Sequence, residues 1–418
     1  MNLRRETKHR DGLSGTTRRR PGMAIAAGLA LTMVAGGLAQ MGIGLAASNN
    51  SAAAGAGRGE RRVDLARPKF SDPTSITNPL FPISELEQVI QLGQEGGDPL
   101  RIEVTLLPRT KTIKWNGQRV ETLVSQFIAY LDGRVLETAV DYFAQADDGS
   151  VWYFGEKVNN YENGVIANHE GTWLAGKDGP PGMIMPADPK VGDIYRPENI
   201  PGFVFEEVTV KAVDQTVDGP RGPVEGAIRV EELLMDGTTE DKIFAPGYGE
   251  FLARAEDELV TVALAVPIDA LSGPLSAELG ALWKGAVEIF DATPARDWDA
   301  ISGTLDSMIA AWDAYQVGDY TPELLDEQMT SALDELTSAV EMQRPVRARY
   351  AAVEVGIASA DFQLRYRAFH KVDFDRIELY SRRLLVDNAG NRMGDVAGDV
   401  AVIETIWDRI ARTVGGKA

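Results

Sequence analysis

The sequence predicts an α+β protein in which a curled antiparallel β-meander, a barrel or half-barrel, precedes an α-helical bundle. Three observations carry this expectation. Turn dipeptides recur at Asn116-Gly117, Asp132-Gly133, Asp148-Gly149 and Asn163-Gly164, separated by 16, 16 and 15 residues. The stretches between them are rich in Val, Thr, Phe, Tyr and Trp, residues that suit a pleated, half-buried surface. From Leu275 onward the apolar period changes. Trp298, Ile301, Leu305, Met308 and Trp312 recur at steps of three and four, the spacing of one helix face.

Asn-Gly and Asp-Gly supply the positive φ angles of two-residue hairpin turns. Each reversal therefore pairs a strand with its neighbour. Within one strand, Leu136, Thr138, Val140, Tyr142 and Ala144 are expected on one face, with Glu137, Asp141 and Gln145 on the other. A long loop over residues 175–202 leads to further strands. Val208 and Val210 share a face in one and Ile228 and Val230 in the next, and Val260, Val262, Leu264 and Val266 belong to the last. Nine or ten strands exceed what a flat sheet carries comfortably, so the sheet is expected to curl. Before the meander, Asn78-Pro79-Leu80-Phe81-Pro82 is an extended, proline-bracketed opening, and residues 85–94 look helical. In the second half, Thr321 is read as an N-cap with Pro322 at the first helical position. Helices are expected over 324–342, 346–369, 373–388 and 395–413. Five or six helices with short links suggest an up-down bundle.

At 418 residues the chain is long enough for two domains and a leader. The expected layout is an export signal or signal-anchor over 1–48, a flexible linker over 49–75, a β-rich domain over 76–268 and a helical bundle over 275–416. Arg18, Arg19 and Arg20 precede an uncharged run, which marks an export signal. Residues 21–47 are also long enough to anchor in a membrane, with the basic flank inside. Either way the bulk is expected outside the cytoplasm, secreted or membrane-anchored. Cysteine is absent, which excludes disulfides, thiol nucleophiles and thiolate metal sites. The net charge is −20, and ten of the 42 basic side chains lie in the first 62 residues. The remainder is strongly acidic, which argues against nucleic acid as a partner and favours cations.

Catalytic motifs are scarce. The three histidines are His9, His169 and His370. Neither a G-x-S-x-G elbow nor H-E-x-x-H occurs, which argues against a serine hydrolase and a zinc hydrolase. Met183 and Met185, with His169 upstream, could form a soft Cu(I) site, although methionines also fill gaps under loops. Asp141, Asp147, Asp148, Asp178, Asp188 and Asp193 could offer oxygens to calcium, or serve as ordinary turn residues. Tyr142, Trp152, Phe154 and Trp173 are candidate walls of a ligand pocket, while strand alternation assigns about half of the local aromatics to the core. A carboxylate-pair hydrolase would find many acid pairs here, and that abundance makes the signal weak. In the helical half, Arg365, Arg367, His370, Asp373, Asp375, Arg376, Arg382, Arg383 and Asp387 form a dense mixed-charge patch. It could bind an anion through Arg365 and Arg367 or orient helices through ion pairs. No cofactor is identified.

The segments NPLFPI, DYFAQADDGSVWYFGE, GTWLAGKDGPPGMIMPADPKVGDIYR and KIFAPGYGEF resemble a group of exported bacterial proteins. Its members share an N-P-aromatic-P opening, a G-x-V-W-Y-F-G-E hairpin, a G-x-M-P-A-D-P-x-V-G-D loop and an A-P-G-x-G return strand. The likeness covers roughly residues 76–266. Residues 364–410 resemble a recurrent C-terminal helical module of exported bacterial proteins. Neither resemblance brings an activity. The expected function is an exported, non-catalytic binding or interaction protein, with a small hydrophobic ligand or an envelope protein as partner near residues 169–193. The alternatives are an extracytoplasmic copper or calcium protein and, behind it, a carboxylate-based hydrolase.

Overall fold

The computed structural model describes residues 60–318 and 321–414. The expected export segment 1–48 lies outside the described residues. Fifteen strands form one mixed sheet, and six helices follow it. The strands are β1 (Arg61–Arg62), β2 (Gln88–Glu95), β3 (Asp98–Trp115), β4 (Gln118–Leu131), β5 (Arg134–Gln145), β6 (Val151–Glu162), β7 (Val165–Asn168), β8 (Trp173–Leu174) and β9 (Gly182–Met185). After them come β10 (Asp193–Ile200), β11 (Val204–Gly219), β12 (Gly222–Leu234), β13 (Thr239–Ala245), β14 (Gly249–Arg254) and β15 (Glu258–Val266). The hydrogen-bonded path runs β1-β10-β11-β12-β13-β14-β15-β2-β3-β4-β5-β6-β7, with β8 and β9 attached to β6. Only β1 pairs in parallel, on β10. The path is open, so no closed barrel forms.

The predicted turns sit where the chain reverses. Asn116 and Gly117 have φ of 50° and 77°, Asp132 and Gly133 47° and 68°, Asn163 and Gly164 51° and 77°. Both central residues of each turn are thus left-handed, which matches the right-handed twist of the strands they join. Asp148-Gly149 sits in a longer loop in which Gly149 has φ 89°. One expectation is overturned. Residues 85–94 looked helical, yet Gln88–Glu95 is a strand inserted between β15 and β3. Two ladders of backbone hydrogen bonds outweigh local propensity there.

Both faces of β2–β5 are buried. On the outer face Ile90, Ile128, Tyr130 and Val135 join the same apolar cluster as the helices. On the inner face Ile102, Phe127, Ala129, Ala139 and Val158 form a separate cluster. The face of β5 carrying Glu137 and Asp141 therefore points into the curl, not to water. Part of the expected linker is also tied down. The Arg61 N–H donates to Gly192 O at 2.8 Å, and its guanidinium pairs with Asp193 at 2.9 Å.

The helices are α1 (Ala277–Ala292), α2 (Trp298–Gly318), α3 (Glu323–Glu341), α4 (Pro345–Gln363), α5 (Phe369–Ala389) and α6 (Met393–Val414). Pro322 is the N-cap of α3 rather than its first residue. The expected helix over 346–369 ends at Gln363, and α5 starts at Phe369. None of the described helices is long and apolar enough to cross a membrane. An ion-pair network stitches α4, α5 and α6 to β3. Arg409 reaches Glu103 at 2.8 Å and Asp373 at 2.6 Å, and Arg376 reaches Asp361 at 2.7 Å and Asp373 at 2.9 Å. Arg101 pairs with both Glu103 and Asp361. Burial by itself would raise the Glu103 carboxyl, but Arg376, Arg409 and Arg101 outweigh it and hold it well below the usual carboxylate range. Asp373, Arg376, Arg383 and Asp387 of the mixed-charge patch are thus buried joints rather than an exposed anion site. Arg365 is buried and donates to the Tyr315 hydroxyl, and Arg367 pairs with Asp375.

A carboxylate-lined candidate site inside the curl

The inner face carries a row of acids that follows the order of the strands. Glu198, Glu206, Glu232, Glu240, Glu250 and Glu258 come one each from β10 to β15. Glu137 and Asp141 come from β5 and Glu156 from β6. Cross-strand registers place Glu198 opposite Glu206, Glu232 opposite Glu240 and Asp141 opposite Glu156. Glu156 of β6 in turn interacts with Glu198 of β10, so the row comes round on itself although the strand path stays open. β9 fills the gap. A Cβ on Gly182 would stand 1.8 Å from Pro197 O of β10, so this close approach requires glycine.

None of the nine acids is more than 9% exposed. Lys242 of β13 is the only buried lysine among the described residues, and the buried arginines all lie beyond the sheet in sequence. Lys242 pairs with Glu232 and lies 3.7 Å from both Glu240 and Glu250. One cation cannot neutralise nine carboxylates. An unpaired carboxylate in such a place costs several kcal/mol, whereas a neutral acid short of a partner costs about 1–3 kcal/mol. Protonation is therefore the cheaper state. Burial pushes Asp141 and Glu250 to about 7, Glu198 and Glu240 to about 8 and Glu258 to about 9. Glu137, Glu156 and Glu206 are raised as well, by burial first and then by neighbouring acids.

Part of the row opens into a pocket. Its walls include Phe81, Val89, Phe127, Ala139, Phe143 and Tyr248, and its polar lining is Gln91, Ser125, Glu137, Asp141 and Glu250. About 70 Å³ is open to the centres of water molecules. One such centre needs roughly 10–15 Å³, so the space suits a few waters or a short organic group. Gln91 donates to Glu250 O at 2.9 Å, and Asp141 accepts from the Tyr153 hydroxyl at 3.0 Å. Neither carboxyl oxygen of Glu137 has a hydrogen-bond partner among the described residues, nor has the Ser125 hydroxyl. Both side chains are 1% exposed.

The proline-bracketed opening covers this pocket. The Asn78 side-chain amide donates to Gly149 O at 3.1 Å and to Pro186 O at 3.0 Å, while its carbonyl accepts the Leu80 N–H at 3.0 Å. Gly247 N–H donates to Pro79 O at 2.9 Å. The Phe81 ring meets Phe143 edge-on at 5.0 Å. The NPLFPI, DDGS, MPAD and APGYG segments, distant in sequence, thus meet at one end of the sheet.

The predicted ligand-binding aromatics lie elsewhere. Tyr142 is one residue off the pocket and carries Lys111 Nζ 3.9 Å above its ring. Trp152 donates to Ser150 Oγ, and Phe154 packs on Phe70 and Trp115. Trp173 alone is brought to the acid row, donating to Glu198 Oε1 at 2.6 Å. A register shift between Asp141 and Phe143 explains part of this. It sets Phe143 opposite Tyr153 and Asp141 opposite Glu156, so simple alternation fails along β6.

The proposed copper ligands are not assembled. The exposed His169 bonds through Nδ1 to Val158 O, whereas Met183 lies opposite Trp152, six residues further along β6, roughly 20 Å away. Met183 and Met185 are buried in an apolar cluster. The aspartates considered for calcium are dispersed among separate partners. Asp147 holds Ser71, Asp148 holds Ser150, Asp178 accepts from Leu174 N, Asp188 pairs with Lys190 and Asp193 with Arg61. No three His, Asp or Glu side chains among the described residues are grouped to hold a metal ion.

Glu137, Glu250 and Phe81 were missed as site residues. The available signal was acids at alternating strand positions between apolar neighbours, as in Glu137-Thr138-Ala139-Val140-Asp141. No family model, no curated protein and no solved structure matches the chain.

Proposed function

We propose that this is an exported, non-catalytic binding protein whose curled sheet holds a small, largely apolar ligand beneath residues 78–86. The helical bundle braces the outer face of the same strands. One observation carries this proposal: an apolar-walled pocket is lined by Glu137, whose buried carboxyl has no hydrogen-bond partner among the described residues. A group with that desolvation cost is expected where a ligand completes it. The four motif segments that meet over the pocket add support, as does the basic, then apolar, leader.

Native mass spectrometry of the protein taken from its own envelope tests it. A bound small molecule is expected on the wild type, and its loss from Ala139→Met, which fills the pocket. Equal occupancy of both would place the ligand elsewhere, and a bare wild type would remove the support for binding.

A further inference from the structure

We propose that the ligand's head is a protonated amine, received by Glu137 and Asp141, with its carbon body along Phe81, Phe127 and Phe143. This inference rests on the pocket being the binding site and adds the chemistry of the head. Among the described residues, Glu137 has no hydrogen-bond partner through either oxygen, and Asp141 on the same strand accepts from Tyr153. Both residues line the pocket, together with Ser125. An alkylammonium offers three donors and one positive charge, which is what this end of the pocket lacks.

The surroundings select against other heads. The charged and titratable groups around Glu137 are Asp141 on β5, Glu156 on β6 and Glu250 on β14. The nearest basic side chain in the row, Lys242, is engaged by Glu232, Glu240 and Glu250. An anionic head would meet Glu137, Asp141 and Glu250 and no basic side chain in the lining. A neutral hydroxyl could satisfy one oxygen of Glu137 but would leave the row protonated. A divalent metal would want six or more oxygens, and no such group is gathered among the described residues. The apolar walls exclude a strongly hydrated ion and favour an amine with a carbon body.

An arriving ammonium ionises the acid it meets, so the complex must release a proton. The raised carboxyls of Glu137 and Asp141 are consistent with that exchange.

The test is calorimetric titration of the intact protein with n-hexylamine, n-hexanol and hexanoate at pH 7, in two buffers of different ionisation enthalpy. Hexylamine is expected to bind at least tenfold more tightly than hexanol, to release about one proton, and to outcompete hexanoate. In Glu137→Gln the amine should lose about tenfold while hexanol is unchanged. The proton count needs no variant, so it stands even if Glu137→Gln folds poorly. Equal binding of amine and alcohol without proton release overturns the amine head and leaves the pocket as a binding site. No binding of any of the three overturns both.

Discussion

Two buried charged regions of this protein differ in one respect. At the seam between sheet and bundle, Glu103, Asp361 and Asp373 meet Arg101, Arg376 and Arg409, three acids against three bases. Inside the curl, nine acids meet Lys242. The first set is balanced and its arginine forks reach carboxylates from two elements at once, so it joins helices to strands without leaving a net charge behind. The second cannot be balanced from within the described residues. Burial of charge is common to both. Stoichiometry separates a joint from a site that awaits a cation.

The largest effect is expected at the seam. Arg376→Leu leaves Asp361 and Asp373 short of a partner at zero exposure. Loss of one member of a buried ion pair typically costs about 3–5 kcal/mol, to be read from denaturant unfolding. A cost under about 1 kcal/mol would erase the contrast between the two regions.

The next effect is on pH dependence, and the two regions have opposite signs. Asp141, Glu198, Glu240, Glu250 and Glu258 have folded pKa values above their unfolded values, so the folded state binds more protons between the two. Stability then falls as pH rises from about 4 through about 7 for Asp141 and Glu250, about 8 for Glu198 and Glu240 and about 9 for Glu258. Glu103 behaves the other way: its lowered carboxyl contributes stability above about pH 4 that is lost on acidification. The melting temperature should therefore peak at mildly acidic pH and decline towards pH 9. Glu250→Gln should flatten the alkaline limb. A melting temperature that keeps rising from pH 5 to pH 9 would contradict the protonated row.

Trp173→Phe is a smaller perturbation. It removes the indole donor to Glu198, worth about 1 kcal/mol for a buried hydrogen bond, and more above pH 8, where Glu198 would have to ionise without it. The same loss at pH 6 and pH 9 would show that the indole contributes packing alone. The smallest change is expected for Glu137→Gln without ligand. If Glu137 is protonated at pH 7, the amide replaces it almost isosterically and stability moves by no more than about 0.5 kcal/mol. Destabilisation of several kcal/mol would mean that Glu137 is ionised and paired, and the comparison would fail at its most informative residue.

Much of the architecture was legible before any coordinates. Asn116-Gly117, Asp132-Gly133 and Asn163-Gly164 marked three reversals because their positive φ is a local property. The period change after Leu275 located the helices for the same reason. Gln88–Glu95 was misread because its strand state depends on two neighbours remote in sequence. The site was harder still. Alternation set Glu137 and Asp141 apart from the apolar face, and the usual inference is that an amphipathic strand turns such acids to water. That inference fails when helices cover the other face, as Tyr130 stacking on Tyr380 of α5 shows here.

Local chemistry therefore set the turns, the change from strands to helices and the absence of thiol chemistry. Each of these depends on residues a few positions apart. The direction in which each strand face points, and so which acids are buried together, was settled by the curling of the sheet and the docking of the bundle. Glu156 and Glu198 belong to strands that do not pair, yet they interact. No periodicity within either strand encodes that contact, because it arises from the curling of the open sheet, which brings β6 and β10 together on either side of β9.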